Sequence, residues 1–355
     1  MPEHTTPPGP YLALDMDAFE RNMAHMYRTI VELGGKRWRP HVKAIRAPAL
    51  AQRLQAAGAR GVTCATLAEA ETMVAAGIRD VLIASQVVVP QQVQRVAELN
   101  RAARVIASVD ADAHVELLAA GARNAGTVVP VVVEVDIGMH RCGVPPGMAA
   151  VLLGRRIQAE AGLSFCGLMA WEGHTTMESD PTAKERAVQQ ALEQLVTTAR
   201  ECEHAGLNVE IVSCGGTGTY PISSLVAGVT EIQAGGGVFG DLRYRTEYHI
   251  PVEPALTLHA TVLSRPTPRR IVCNAGWRYL SAYPTLCRPV HLPHVVQLAP
   301  SAEHLTLECS QDVEGLAVGS SIELAVGYAD STVFLHRAIR GLRNGSLEEI
   351  FVLPA

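Results

Sequence analysis

The stretch Val212-Ser213-Cys214-Gly215-Gly216-Thr217-Gly218-Thr219-Tyr220 decides the fold. An apolar run, Asn208-Val209-Glu210-Ile211-Val212, feeds directly into glycines and hydroxyl residues, the pattern of a strand that ends in an anion-binding turn. Glycines let successive backbone N–H groups converge on one oxyanion, and threonine hydroxyls add donors. Taken alone, the stretch fits an ordinary glycine-rich turn equally well. The next apolar run, Thr230-Glu231-Ile232-Gln233, ends in a second glycine run, Ala234-Gly235-Gly236-Gly237, and two consecutive glycine-rich strand ends point to one shared phosphate.

Working backwards from these two runs, short apolar segments alternate with helical patterns. Strands are expected near residues 39–43, 61–64, 81–84, 105–109, 129–135, 164–171, 209–212 and 231–233. Helices opened by Pro48, Leu67, Pro90, Asp110, Pro145, Asp180 and Pro221 fall between them. Proline in the first turn and aspartate at the cap are expected helix openers. Strand and helix alternating eight times predicts a parallel (β/α)8 barrel of the TIM type. In such a barrel the active site lies at the carboxyl ends of the strands, and a phosphate commonly binds the loops after the seventh and eighth. The two glycine runs follow those two strands. Polar residues cluster at the other strand ends: His41 and Lys43, Thr66, then Asp136, His140 and Arg141, then Trp171, Glu172 and His174.

The chain changes character from about His249. Short runs of period two, at residues 256–262, 270–273, 321–326 and 332–335, lie between Pro, Gly and Asn punctuation. They predict a C-terminal antiparallel β domain over residues 249–355, with a leading strand at residues 10–14 belonging to it and the barrel occupying 15–248. In the first helix, Asp15 or Asp17 caps a segment with Phe19, Met23, Met26 and Ile30 on one face.

Composition sets the outer limits. The chain has 355 residues, 48% of them hydrophobic and 18% charged, enough for a large core and more than one domain. A formal net charge of -5 without a basic cluster argues against nucleic acid as a partner. The opening Met1-Pro2-Glu3-His4 has no signal-peptide character, and no apolar run reaches membrane-spanning length. Eight cysteines without CxxC pairs suit reduced thiols in a cytoplasm better than disulfides or a zinc site.

A lysine at the first strand end, facing a phosphate site, can form a Schiff base with a carbonyl substrate or with pyridoxal phosphate (PLP). The alternative for Lys43 is an ordinary surface lysine. Four segments carry a resemblance that bears on this choice: Arg39-Pro40-His41-Val42-Lys43, the run Val135-Asp136-Ile137-Gly138-Met139-His140-Arg141-Cys142-Gly143, residues 213–220, and residues 230–236. Together with Thr332-Val333-Phe334-Leu335-His336 near the end, they resemble the D-threonine aldolase and D-serine dehydratase family of alanine-racemase-fold PLP enzymes. The resemblance implies a barrel, a β domain, usually a homodimer, and a small amino-acid substrate.

Carried over position by position, the resemblance implies that Lys43 holds PLP. It places the phosphate on Gly215, Gly216, Thr217 and Gly218 with Tyr220 nearby, and on Gly235 and Gly236 from the next loop, with Ser213 among the other cofactor-binding residues. Arg141 falls beside the cofactor's phenolic oxygen and could also meet a substrate carboxylate, which a guanidinium does bidentately. His41 either contacts the cofactor or is a satisfied core histidine; Gln233 either lines the barrel mouth or merely ends a strand. Trp171 occupies the cofactor-lining segment where a tyrosine is often found, and could flank the ring.

The resemblance breaks at the metal. Where the aldolases have His-x-Asp and the dehydratases His-x-Cys, this chain reads Tyr328-Ala329-Asp330, and the glutamate–histidine pair upstream is replaced by Ser310-Gln311-Asp312-Val313. Asp330 is retained as an oxygen ligand for a divalent ion (manganese, magnesium or zinc), but a neutral tyrosine is a poor ligand beside imidazole. Tyr328 could then be the acid/base at the β-hydroxyl, with Asp330 setting its proton, or His174 could serve from the barrel side. The expected reaction is retro-aldol cleavage of a β-hydroxy D-amino acid to glycine and an aldehyde. Dehydration is the next reading, and racemisation or epimerisation, which needs no metal, is another. A non-catalytic PLP carrier on a single barrel fits less well, because the chain continues past His249. His291, His294 and His304 read as surface residues, and Lys184, Glu185 and Arg186 as a solvated helix face.

Overall fold

The computed structural model describes residues 9–354. Residues 1–4, read above for a signal peptide, lie outside the described residues. The chain opens with β1 (Tyr11–Asp15) and α1 (Met16–Tyr27). Asp15 is the cap: its Oδ1 accepts the backbone N–H groups of Asp17 and Ala18 at 2.9 and 3.0 Å. Of the four residues expected on one face, Phe19, Met26 and Ile30 are buried and Met23 is half-buried.

Strand and helix then alternate through β2 (Arg37–Trp38), α2 (Pro48–Ala56), β3 (Val62–Cys64), α3 (Leu67–Ala75), β4 (Asp80–Gln86), α4 (Pro90–Leu99), β5 (Arg104–Val109) and α5 (Asp112–Ala125). The series continues with β6 (Val129–Glu134), α6 (Met148–Gln158), β7 (Leu163–Met169), α7 (Pro181–His204), β8 (Ile211–Cys214), the single turn α8 (Tyr220–Ser223) and β9 (Glu231–Ile232). Helix starts follow local chemistry. Thr66 caps α3 by accepting the Glu69 N–H, and Asp180 caps α7 ahead of Pro181. The helices expected from Asp110 and Pro145 begin later, at Asp112 and Met148.

The eight strands pair in parallel in the order β2-β9-β8-β7-β6-β5-β4-β3. The ring closes where His41 bridges Thr63, with the Val42 N–H donating to the Thr63 carbonyl at 2.8 Å. The barrel is therefore the one expected. Leu82, Ile106, Val132, Cys166, Met169 and Ile211 form one of its buried clusters, each large aliphatic contributing about 1.5–3 kcal/mol by leaving water. β7 approaches β8 so closely that a Cβ on Gly167 would lie 2.0 Å from the Ile211 carbonyl oxygen, and its φ of +138 also demands glycine.

The second sheet contains β10 (Leu256–Thr267), β11 (Arg270–Cys273), β12 (Arg288–Pro289), β13 (Val295–Pro300), β14 (Leu305–Cys309), β15 (Ser321–Ala325), β16 (Ala338–Arg343) and β17 (Ser346–Val352). Its main path is β13-β14-β11-β10-β1-β16-β17, with β15 joining β10 to β12. β1 joins it as expected, but pairs with β16 in parallel, so the sheet is mixed rather than wholly antiparallel. The run expected as a strand at residues 332–335 is instead the end of α9 (Ala329–Thr332) followed by a 3-10 turn, Val333–Leu335. Four apolar or β-branched residues carry too little period to separate the two. The chain folds as two compact units: Ala24–Gly235, and the described residues of Met1–Met23 with Gly236–Ala355.

Candidate active site

In the barrel unit, chain ends from four strands meet on one indole. Lys43 lies in the turn that follows the His41–Thr63 bridge, just past the last backbone pairing, in which the Val42 N–H donates to Thr63. Its Nζ is 5.8 Å from the centre of the Trp171 ring, and the Arg141 guanidinium carbon is 5.2 Å from the same ring. On another side, a Cβ added to Gly216 would stand 2.9 Å from Trp171 Nε1. Trp171 thus gathers the lysine, the arginine and the glycine loop that the sequence singled out. The chain has three lysines, Lys36, Lys43 and Lys184. Lys36 precedes β2 and Lys184 is buried on α7, which leaves Lys43 as the lysine at the strand ends. Burial of Lys184 corrects its reading as part of a solvated face.

Beneath the glycine loop lies a carboxylate whose role sequence reasoning missed. Glu172, fully buried, accepts from the Gly215 N–H at 3.2 Å, the Thr219 hydroxyl at 2.7 Å and the Ser223 hydroxyl at 2.5 Å. The Thr219 oxygen in turn accepts the Gly216 N–H at 3.1 Å. The amides of Gly215 and Gly216 are therefore engaged within the chain, and these glycines contribute space and curvature; Gly215 has a φ of +82. Thr217 is buried beside them. Tyr220 is wholly buried and its hydroxyl has no hydrogen-bond partner among the described residues, while burial raises the phenol above its ordinary value. A buried donor left unmet by the chain is one a bound oxygen atom would satisfy. The space at Gly216, the unmet Tyr220 hydroxyl and the lysine across the indole fit a phosphorylated aldehyde cofactor.

The floor of the mouth is a buried polar chain. Gln233 donates to the Ser213 hydroxyl at 3.0 Å, Ser213 donates to Glu231 at 2.9 Å, and Glu231 pairs with the fully buried Arg39 at 2.9 Å. Arg39 reaches Asp80 at 2.8 Å. Such a network is strongly destabilised by loss of any one member. Gln233 and Ser213 are thereby tied to the interior of the barrel. His41 Nδ1 accepts the Lys43 N–H at 3.3 Å, and Gly235 packs so tightly on the His41 backbone that a Cβ there would lie 2.2 Å from its carbonyl oxygen. Burial, with the Lys43 and Arg141 cations nearby, holds the His41 imidazole well below its ordinary value, hence neutral.

Arg141 is placed by its loop. Asp136 accepts the N–H groups of Gly138 and His140, each at 3.0 Å, and Asp110 accepts that of Gly143 at 2.8 Å. The arginine is half-exposed and stands 3.8 Å from the buried carboxylate of Glu134. Gln86 donates to the other Glu134 oxygen at 2.5 Å. Burial raises the Glu134 carboxyl above its ordinary value, against the pull of Gln86 and Arg141. Glu134 was also missed, although a glutamate closing the run Val131-Val132-Val133 was a visible signal. His174 is exposed in a 3-10 turn, with its ring against Gly138.

In the β unit, Tyr328 donates to Asp330 Oδ2 at 3.0 Å, and Tyr244 donates to Oδ1 at 3.2 Å. The Arg243 guanidinium lies 5.2 Å from the Tyr328 ring and 5.0 Å from the Tyr248 ring. Asp241 accepts the Ala329 and Tyr244 N–H groups at 2.8 and 3.0 Å, and burial pushes its carboxyl up to about 8. Burial, then Asp330, raise the Tyr328 phenol. Among the described residues no cluster of three or more His, Cys, Asp or Glu side chains is arranged to hold a metal ion. Asp312 lies in an exposed pair with Arg269, and His291, His294 and His304 are exposed as expected. The donor set around Asp330 does not fit the divalent ion that the resemblance implies. Tyr244, Arg243 and Asp241 had no signal in the sequence, because only the fold brings them to Tyr328. All eight cysteines are free, and no described helix is long and apolar enough to cross a membrane.

Comparison with known proteins agrees with this geometry. Residues 14–243 match the family model described as alanine racemase, N-terminal domain, and residues 255–341 match a domain of serine-dehydratase type. D-threonine aldolase of Arthrobacter sp is 31% identical over 354 residues, covering 98% of this chain and 92% of that protein. The crystal structure of D-threonine aldolase from Filomicrobium marinum superposes with a TM-score of 0.93 at 32% identity, covering 98% of both chains. A cysteine-to-alanine variant of D-threo-3-hydroxyaspartate dehydratase, solved in a metal-free form, gives 0.87 at 27% identity and also covers 98% of both chains. The chain belongs to the alanine racemase N-terminal domain family, in its D-threonine aldolase and D-serine dehydratase-like group.

Proposed function

We propose that this chain is a PLP-dependent lyase of β-hydroxy D-amino acids that cleaves Cα–Cβ to give glycine and an aldehyde. The observation that carries the reading is the meeting of Lys43, Arg141 and the Gly216 loop on the Trp171 ring. Lys43 would hold the cofactor's aldehyde carbon, Trp171 would flank its ring, and the loop from Thr217 to Tyr220, set in place by Glu172, would take its phosphate. When bound, PLP supplies a sink for the electron pair of a broken Cα bond.

The chain's own residues then decide which bond breaks. Arg141, held beside Glu134, is a fixed cation suited to the substrate carboxylate and so to orienting Cα. His41, neutral and bonded to the Lys43 amide, adds no competing positive charge. Dehydration is the second reading. The similarity to D-threo-3-hydroxyaspartate dehydratase supports it. D-Threonine and D-threo-3-hydroxyaspartate, the compounds in the names of the relatives, are the first substrates to try. A homodimer in the cytoplasm is the assembly and location we propose with it.

The test is product identity. Purified protein with PLP is given D-threonine, D-threo-3-hydroxyaspartate, D-serine and D-alanine. Glycine with an aldehyde supports the aldolase, whereas a 2-oxo acid with ammonia moves the assignment to dehydratase. A change in optical rotation with neither product would replace the lyase by a racemase.

A further inference from the structure

We propose that the amino-terminal end of the barrel carries a second anion site, separate from the cofactor loop, which binds a small phosphate dianion between Arg79 and Arg101.

A cavity of about 570 Å³ opens where β4, β5, β6 and β7 begin, within the range of roughly 300–1,000 Å³ usual for small-molecule sites. In a parallel barrel this is the opposite end from Lys43 and the glycine loop. Arg79, Arg101 and Arg104 line the cavity, Val128 and Pro130 give it an apolar wall, and no carboxylate belongs to its lining. The three cations are not equivalent. Arg104 is neutralised by Glu210, whose two oxygens accept its Nη1 and Nη2 hydrogens at 2.9 and 2.6 Å. Arg79 and Arg101 form no ion pair among the described residues: Arg79 Nη1 donates to the Ala102 carbonyl at 3.2 Å, and Arg101 Nη2 to the Ala125 carbonyl at 2.6 Å. Both carbonyls are uncharged, so two full positive charges stay on the cavity wall. Glu98, three residues before Arg101, is engaged by Arg95 at 2.7 Å and by Gln94 at 3.2 Å.

The site is built before a ligand arrives. Asn100 locks the loop that carries Arg101: its Nδ2 donates to the Val96 and Val105 carbonyls, each at 3.0 Å, and its Oδ1 accepts the Val105 N–H at 3.1 Å. Each guanidinium is steered by one bond to backbone and keeps its remaining N–H donors, so little ordering is left for a ligand to impose. Capping explains part of this, since Ala125 ends α5. It does not explain why two such arginines share a cavity without a carboxylate, in a chain of formal net charge -5. Like charges facing one space repel unless an anion stands between them. A phosphate dianion matches two guanidiniums in charge and accepts paired N–H groups from each. Two are too few to track a polynucleotide backbone. The exposed Val128 side chain suits the organic part of a phosphate ester.

The test titrates PLP-saturated protein, in buffer free of phosphate, with inorganic phosphate and with phenyl phosphate by calorimetry. Expected is one saturable site per chain. Tighter binding of phenyl phosphate would support a phosphate ester as the occupant, and equal binding free phosphate. Arg79→Gln should weaken the site by roughly tenfold or more, and Arg79→Gln with Arg101→Gln should remove it. Arg123→Gln, an arginine paired with Glu160 outside the cavity, should leave it unchanged. Melting temperatures without ligand separate a folding defect from a binding one. Because Arg101 also holds the end of α5, Arg79→Gln alone decides the matter if the double variant does not fold. No saturable binding of either compound, or binding that Arg79→Gln leaves at full strength, would overturn the proposal.

Discussion

The carboxylate of Glu172 holds the backbone N–H of Gly215 at 3.2 Å, fixing the glycine loop to the end of β7. Glu172→Ala leaves that amide and the hydroxyls of Thr219 and Ser223 without their buried acceptor, at a cost of about 1–3 kcal/mol for each group left unmet. The expected outcome is a lower melting temperature together with PLP affinity weakened by at least roughly tenfold, about 1.4 kcal/mol. Thermal unfolding and an absorbance titration measure both. A variant that melts earlier but binds PLP as the parent does would show that Glu172 supports the fold and not the cofactor loop.

Glu134 is expected to act through Arg141. Glu134→Gln keeps the bulk beside Gln86 and removes the charge 3.8 Å from the guanidinium. An ion pair worth about 1 kcal/mol corresponds to a rise of roughly fivefold in KM for the amino acid, with kcat and melting temperature little changed. An unaltered KM would separate Glu134 from substrate binding.

His41 gives the protein a definite pH dependence. Its folded pKa lies well below 6.5, so below that pH the unfolded chain binds a proton that the folded chain does not. Stability is then lost as pH falls, by up to about 1.4 kcal/mol per pH unit below about 6.5 for this one group. His41→Gln should flatten that part of the profile. Denaturant melts of both proteins between pH 7.5 and 5 check it, and parallel profiles would contradict it.

The barrel was legible because parallel strands covered on both faces are continuous apolar runs, and eight of them alternate with helical patterns. Lys43, Arg141 and the glycine loop were legible as polar residues at strand ends. What escaped was whatever depends on partners distant in the chain. Glu172 gains its meaning from Thr219 and Ser223, Glu134 from Gln86 and Arg141, and Asp330 from Tyr244. Lys184 was misread because three consecutive charges look solvated, although the helix turns the first of them inward. The antiparallel expectation failed at one pair, β1 with β16, since pairing direction is set by connections far apart in sequence.

The central claim is that Lys43 carries the cofactor, and with three lysines in the chain it can be tested at single-residue level. The protein is mixed with PLP, reduced with borohydride, digested and mapped by mass spectrometry. The account predicts one phosphopyridoxyl group per chain, on the peptide containing Lys43, and a visible absorbance band that Lys43→Ala abolishes. A label on Lys36 or Lys184, or a protein that stays colourless and unlabelled, would contradict it.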